Sequence, residues 1–293
     1  MTYPSFFDED QLLIEAALER LLPPADAQPP SIHQAMRYSV FAGGKRIRPM
    51  LCLEASRIFS KADVAAIGAG CAIEFIHTYS LIHDDLPALD NDDLRRGKPT
   101  LHKKFNEATA ILSGDALLTL AFETLSRIEL EPARRVQVIH EIAMAAGTRD
   151  GMVGGQVADI EAERKPVTAE SLAYIHRSKT AALIRGSVVA GAICGGGAAE
   201  DAERMRRFGD NIGWAFQVVD DILDVEESSA ALGKTAGKDQ AQQKATYPAL
   251  FGVEKSRSIA KELADKALGE LKVYGECAMR LRELAEFLVS RRA

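Results

Sequence analysis

Cysteine is scarce in this 293-residue chain, and the four present (Cys52, Cys71, Cys194 and Cys277) form no C-x-x-C pair. That spacing argues against a zinc site, and the cysteines read as reduced core residues of a cytoplasmic protein. No N-x-S/T sequon occurs. The opening residues lack a basic stretch followed by an apolar one, which argues against a signal peptide. No apolar run reaches 18 residues, so no membrane-spanning helix is expected. Lysine and arginine form no continuous stripe and the net charge is −6, so no nucleic-acid partner is expected. What is abundant is apolar: 47% of the residues are hydrophobic, enough for a sizeable core.

Pro23-Pro24 and Pro29-Pro30 bracket a loop between a first amphipathic segment, 8–22, and a second. Ser31 and Gln34 match a capping box that opens the second. Gly43-Gly44 closes it, and Pro49 lies near the start of the next helix. Apolar residues then recur at i, i+3, i+4 and i+7 over 63–86, 107–129, 131–151, 169–195, 200–226, 239–252, 254–274 and 277–291. No period-2 strand with a hairpin turn stands out. The expectation is an all-α fold: a single large helical bundle covering residues 1–293, without a domain boundary or repeat. Two charged loops interrupt it, at 87–104 and 227–239.

Carboxylates cluster twice. Asp84-Asp85 precede Leu86-Pro87, and Asp90 to Asp93 follow closely. Pro87 disfavours helix at Leu86, so the first pair sits on a last helical turn, at the negative end of the dipole. Carboxylates are unfavourable there unless something positive binds. In Phe216–Asp224, Gln217, Asp220 and Asp224 share a helix face, with Asp221 between them and apolar residues on the other side. Hard oxygen ligands on two apolar helices point to Mg²⁺, and Mg²⁺ commonly bridges carboxylate to phosphate. The expected ligand is therefore a diphosphate. An EF-hand from Asp90 fails because Arg95 stands where glycine is needed. Gly233-Lys234-Thr235 fails as a Walker loop because Ser228 replaces its first glycine.

Cations accompany the carboxylates. Lys45 and Arg48 flank a tight turn at a helix start, a plausible anion site. Arg95-Arg96-Gly97-Lys98 follows the first aspartates.

These strings, in this order, resemble the trans-isoprenyl diphosphate synthases, in detail the bacterial type of farnesyl diphosphate synthase. They are Gly43–Pro49, Ile76–Gly97, Lys179-Thr180, Phe216–Asp224, and Gly233-Lys234 with Gly237-Lys238-Asp239. The resemblance implies a homodimeric helical fold with a deep central cavity. It implies head-to-tail condensation of isopentenyl diphosphate with an allylic diphosphate, dimethylallyl or geranyl, to give farnesyl diphosphate. By similarity, Asp84 and Asp90 hold two Mg²⁺ ions, with Asp85 assisting, and Asp220 holds a third, with Asp221 and Asp224 nearby. Arg95, Lys179 and Lys234 would bind the allylic diphosphate. Lys45, Arg48, His77 and Arg96 would bind isopentenyl diphosphate. Thr180 and Gln217 would lie beside the carbocation. Gln156 and Asp159 match a further family segment. His77 lies two turns before Asp84 and can line the same cavity.

Tyr79 and Ser80 precede Asp84 by about one turn. By resemblance, a bulky aromatic there is a floor that stops chain growth at farnesyl length. Geranylgeranyl diphosphate synthases share the spacer between Asp85 and Asp90 and are the closest alternative. A terpene cyclase, or a non-catalytic subunit of a prenyl synthase heteromer, are alternatives of a different class. Against the first stands the Lys45/Arg48 pair, and against the second the presence of both aspartate motifs.

Overall fold

The computed structural model describes residues 3–163, 166–232 and 246–290, with backbone alone for 227–232. α1 (Phe7–Leu21), α2 (Pro30–Val40), α3 (Ile47–Arg57) and α4 (Val64–Asp84) lead to a two-residue antiparallel ribbon, β1 (Leu94–Arg95) with β2 (Lys98–Pro99). α5 (Leu101–Lys104), α6 (Glu107–Arg127), α7 (Pro132–Ala146), α8 (Met152–Ala162) and α9 (Ala169–Ile175) follow. A π-helical turn, His176–Ala181, joins α9 to α10 (Ala182–Gly195). α11 (Ala199–Leu232), α12 (Tyr247–Phe251), α13 (Val253–Leu271), a 3-10 stretch (Lys272–Ala278) and α14 (Met279–Val289) complete the order.

The innermost helices are α3, α4 and α10. Each is apolar around most of its circumference, and such helices belong in a core. Every residue from Pro49 to Ser56 is buried, as is almost all of α10. α3 and α10 touch through backbone. A Cβ on Gly191 would lie 2.1 Å from the Cys52 carbonyl oxygen, and one on Gly195 2.4 Å from that of Ser56. α4 and α6 are, by length and composition, apolar enough to cross a membrane. For α4 the explanation is burial inside the bundle, at 72%. α6 is 39% buried and leaves Ile111 and Leu112 exposed.

Several boundaries differ from expectation for local reasons. Pro29 caps α2 and Pro30 takes its first helical position, with no side-chain cap bond, so Ser31 is already inside the helix. Proline there has its φ pre-set and no N–H to satisfy, which makes the capping box redundant. α4 ends at Asp84, with Asp85 as its cap. The segment expected over 131–151 stops at Ala146 before Gly147, and α8 lies outside every segment that periodicity marked. Of 239–252, only Tyr247–Phe251 falls on a described helix.

Two buried ion networks tie the chain ends to the core. Arg46, in a left-handed conformation, donates to Glu15 (2.7 Å), Glu74 (2.8 Å) and the Val40 carbonyl (2.7 Å). Arg57 contacts Asp10 (2.7 Å), Glu54 (2.6 Å) and Asp63 (2.7 Å), and Arg280 of α14 reaches Asp10 (2.9 Å) and Glu54 (3.3 Å). Burial and the adjoining Asp10 push Glu54 up to about 7, against Arg280 and Arg57. A carboxyl raised on folding stabilises the fold fully below its unfolded pKa, and that contribution is lost as pH rises through about 7. Melting curves from pH 5 to 8 should therefore fall, and Glu54→Gln should flatten that fall. An unchanged slope in the variant would rule out Glu54 as its source.

Candidate active site

α4 delivers Asp84 at its last turn, and the following loop folds back over the helix end. The Asp90 N–H donates to the Asp84 carbonyl (2.9 Å), and the Leu89 and Asn91 N–H groups to that of Leu86 (2.9 and 3.1 Å). Asn91 takes the left-handed φ of +53° this reversal needs. Burial raises the Asp84 carboxyl, and Asp90 and Asp85 add repulsion against the attraction of Lys179. Asp85 is turned elsewhere: Arg95 Nε donates to it at 2.7 Å.

α8 faces this cluster. Gln156 Nε2 donates to Asp84, and Asp159 accepts from Lys179 Nζ at 2.7 Å. Gln156 and Asp159 therefore place Asp84 and Lys179, a role the sequence did not distinguish from substrate contact. Lys179 and Thr180 lie within the π turn. α8 packs straight onto that turn, since a Cβ on Gly155 would sit 2.1 Å from the Lys179 nitrogen.

Beside the carboxylates lies an excess of cations. Arg48 is deeply set and its buried Nε has no hydrogen-bond partner among the described residues. Burial presses on its charge, Arg96 adds repulsion, and Glu74 and Asp220 oppose them. Burial, then the guanidiniums of Arg48, Arg96, Arg95 and Arg46, hold His77 well below its ordinary pKa, so its imidazole is neutral. Arg96 is held by a hydrogen bond from Nη1 to the Gly43 carbonyl. A small cavity of about 40 Å³ opens here, lined by His77, Asp85, Arg95, Arg96, Glu74 and others. Lys45 points away from this group, its ammonium over the rings of Tyr3 (5.9 Å) and Phe287 (5.7 Å).

On α11 the aspartates divide. Asp220 lies within electrostatic reach of Arg48, and Asp224 is exposed. Asp221 is buried and accepts from the Tyr247 N–H (2.9 Å) and from the Gln217 side chain. Burial pushes it up to about 7 against those bonds. His176 Nε2 stands 3.4 Å from Asp221 and its ring lies on that of Tyr247, 5.2 Å between centroids. Burial holds His176 down to about 4, so this is a neutral contact, not an ion pair. Gln217 thus turns to Asp221 and not to the Asp220/Asp224 face. No motif marks His176 or Tyr247 in the sequence. Lys234 lies outside the described residues.

The described side chains form no group of three or more His, Cys, Asp or Glu able to hold an ion by themselves. Crowded hard oxygens without a closed cage fit an ion that takes one or two carboxylates and fills its shell with water and phosphate, as Mg²⁺ does.

This is the fold and charge arrangement of a prenyl-transferring synthase. The polyprenyl synthetase family model matches residues 29–281, and the chain belongs to that family. It is a short-chain trans-prenyltransferase. It is 52% identical to the heterodimeric geranylgeranyl pyrophosphate synthase large subunit 1 of Arabidopsis thaliana, over 88% of this chain and 71% of that protein. It is 52% identical to the chloroplastic geranylgeranyl pyrophosphate synthase of Capsicum annuum, over 90% and 72%. Among solved structures, an FPP/GFPP synthase from Zymomonas mobilis, in its apo form, superposes with a TM-score of 0.87 at 40% identity, covering 98% of each chain. The all-α prenyltransferase fold expected from sequence is thus shown. The farnesyl product is not: the curated relatives' names favour the geranylgeranyl alternative.

Proposed function

We propose that the chain condenses isopentenyl diphosphate with an allylic diphosphate to release geranylgeranyl diphosphate. The names of the relatives favour the geranylgeranyl product, and the observation that carries the condensation is the excess-cation group of Arg48, Arg96 and neutral His77, set against the crowded Asp84/Asp90 carboxylates. Such a pairing suits two anionic groups, one held directly and one through a metal.

Asp84, Asp90 and Asp220 would hold Mg²⁺, with Asp85 acting through Arg95 and Asp221 through its contacts to α12. Bound there, Mg²⁺ supplies positive charge to a departing diphosphate. Lys179, steadied by Asp159, and Arg95, steadied by Asp85, stabilise the same leaving group as the allylic C–O bond breaks. Arg48 and Arg96 hold isopentenyl diphosphate, and Lys45 would have to leave the Tyr3 and Phe287 rings to join them. Neutral His77 adds no positive charge beside a developing cation. Thr180, in the π turn beside Lys179, would offer its hydroxyl dipole to the cation, whereas Gln217 is engaged by Asp221. The isopentenyl double bond then forms the new C–C bond and a proton leaves, which the departed diphosphate can accept.

Tyr79 favours farnesyl diphosphate as a second reading. It is bulky, 8% exposed, and stands five residues before Asp84 on α4. Incubating the protein with isopentenyl diphosphate, dimethylallyl diphosphate and Mg²⁺ and weighing the products tests both. Consumption of isopentenyl diphosphate excludes a cyclase and a non-catalytic subunit, and its absence sinks the proposal. The exposed Ile111 and Leu112 of α6 support a homodimer. Sedimentation equilibrium should give twice the protomer mass, and a single-protomer mass removes that part of the reading.

A further inference from the structure

Tyr79 is not a free-standing floor. It is 8% exposed, and burial raises its phenol. Part of its packing is His83, one helical turn on and on the same side of α4. The two rings meet edge-on, with centroids 5.8 Å apart and planes at 73°. Ser80, the other residue near this level, has its hydroxyl turned back to the His77 carbonyl at 2.8 Å.

His83 is itself fixed from α6. Its Nε2 lies 3.0 Å from the Ile111 carbonyl oxygen, so the Nε2–H tautomer is the one that donates. Asp115 Oδ1 stands 4.0 Å from the same nitrogen. The imidazole fills a notch that only glycine leaves: a Cβ on Gly114 would sit 2.1 Å from Nε2. A hydrogen bond, a steric notch and a ring contact therefore hold one side chain between α6 and Tyr79.

We propose that His83 is a specificity-determining residue for product length, positioning Tyr79 as the end wall of the tail cavity. The inference rests on the reading of Tyr79 as that wall, and it extends it: the wall is braced by a second ring that is anchored on α6. A tail that presses on Tyr79 presses on His83, which the Ile111 carbonyl and the Gly114 notch hold on the α6 side. Removing the imidazole takes away the ring that braces Tyr79, whose phenol can then swing aside and admit a further isoprene unit. A methyl group at Gly114 displaces the imidazole and acts in the same direction. Hydrophobic walls of this kind discriminate one added group by about tenfold or more, which sets the expected scale.

The test compares His83→Ala, Gly114→Ala and Tyr79→Ala by mass spectrometry of products under one set of saturating conditions. KM for isopentenyl diphosphate is measured alongside. The expected result is a ratio of next-longer to native product raised about tenfold in His83→Ala and Gly114→Ala, with that KM unchanged. A merely structural role would lower total activity and leave the ratio alone. Should His83→Ala fail to fold, His83→Gln, which can reach the Ile111 carbonyl but lacks the ring, carries the same expectation. A native ratio in the His83 and Gly114 variants while Tyr79→Ala lengthens the product overturns the proposal and leaves Tyr79 as the wall. A native ratio in all three overturns the wall itself.

Discussion

Asp84→Asn should melt at a higher temperature than the parent protein when no ligand is bound, while its turnover falls about a thousandfold. The two effects share a cause. Burial raises the Asp84 carboxyl, and Asp90 and Asp85 add repulsion to it. Ionised Asp84 is therefore a cost to the empty fold. Asparagine removes the charge, keeps the size, and can still accept the Gln156 hydrogen bond. The same charge is what a metal–diphosphate complex needs, so turnover is lost. Asp220→Asn should lose turnover to a similar degree, since the second carboxylate helix serves the same ligand. Circular dichroism and thermal melting establish the fold, and steady-state rates with Mg²⁺ establish the loss. Near-normal turnover in either variant would remove these aspartates from the metal site. A lower melting temperature in Asp84→Asn would show that Gln156 and Lys179 outweigh the repulsion.

Arg48→Met should raise KM for isopentenyl diphosphate by about a hundredfold, with a much smaller change in kcat. A hydrogen bond to a charged group is worth about 1.5–3 kcal/mol, and a buried one sits at the upper end. Arg48 has an orphaned, buried Nε and a charge that burial and Arg96 both oppose. It gains most when an anion arrives. Methionine fills similar space, so the fold should persist. Because isopentenyl diphosphate keeps its diphosphate throughout the reaction, the loss is one of uniform binding and falls on KM. An unchanged KM would move the isopentenyl site away from Arg48. A loss confined to the allylic substrate would assign Arg48 to the other diphosphate.

Much of the fold was legible because helical periodicity survives wherever one face of a helix is buried. The failures came where a neighbour overruled local pattern. Ser31 carries the right side chain for a cap, but Pro30 had already fixed the turn. α8 was invisible because glycine-rich Gly151–Gly155 dilutes its periodicity; Gly155 lets α8 approach the Lys179 backbone, while Gly151 and Gly154 lie against the backbone of Met144–Thr148. Within the site, spacing identified the Asp84 and Asp220 clusters. It could not separate ligand from support. Asp85 and Asp84 are neighbours in sequence, yet one is turned to Arg95 and the other is flanked by Gln156 and Lys179. Asp221 carries a motif's charge but is spent on the Tyr247 N–H. His176 and Tyr247 come from segments with no motif, and only folding places them together.

The π turn at His176–Ala181 carries an evolutionary constraint. One extra residue in a helix rotates everything beyond it by about 100°. Upstream, this rod answers to α8; downstream, its glycines answer to α3. A straight helix could satisfy one partner and would misaim the other. Deleting any residue of the turn would restore ideal backbone geometry while swinging Lys179 or Gly191 out of phase. The number of residues in the turn is therefore constrained independently of which side chains it carries.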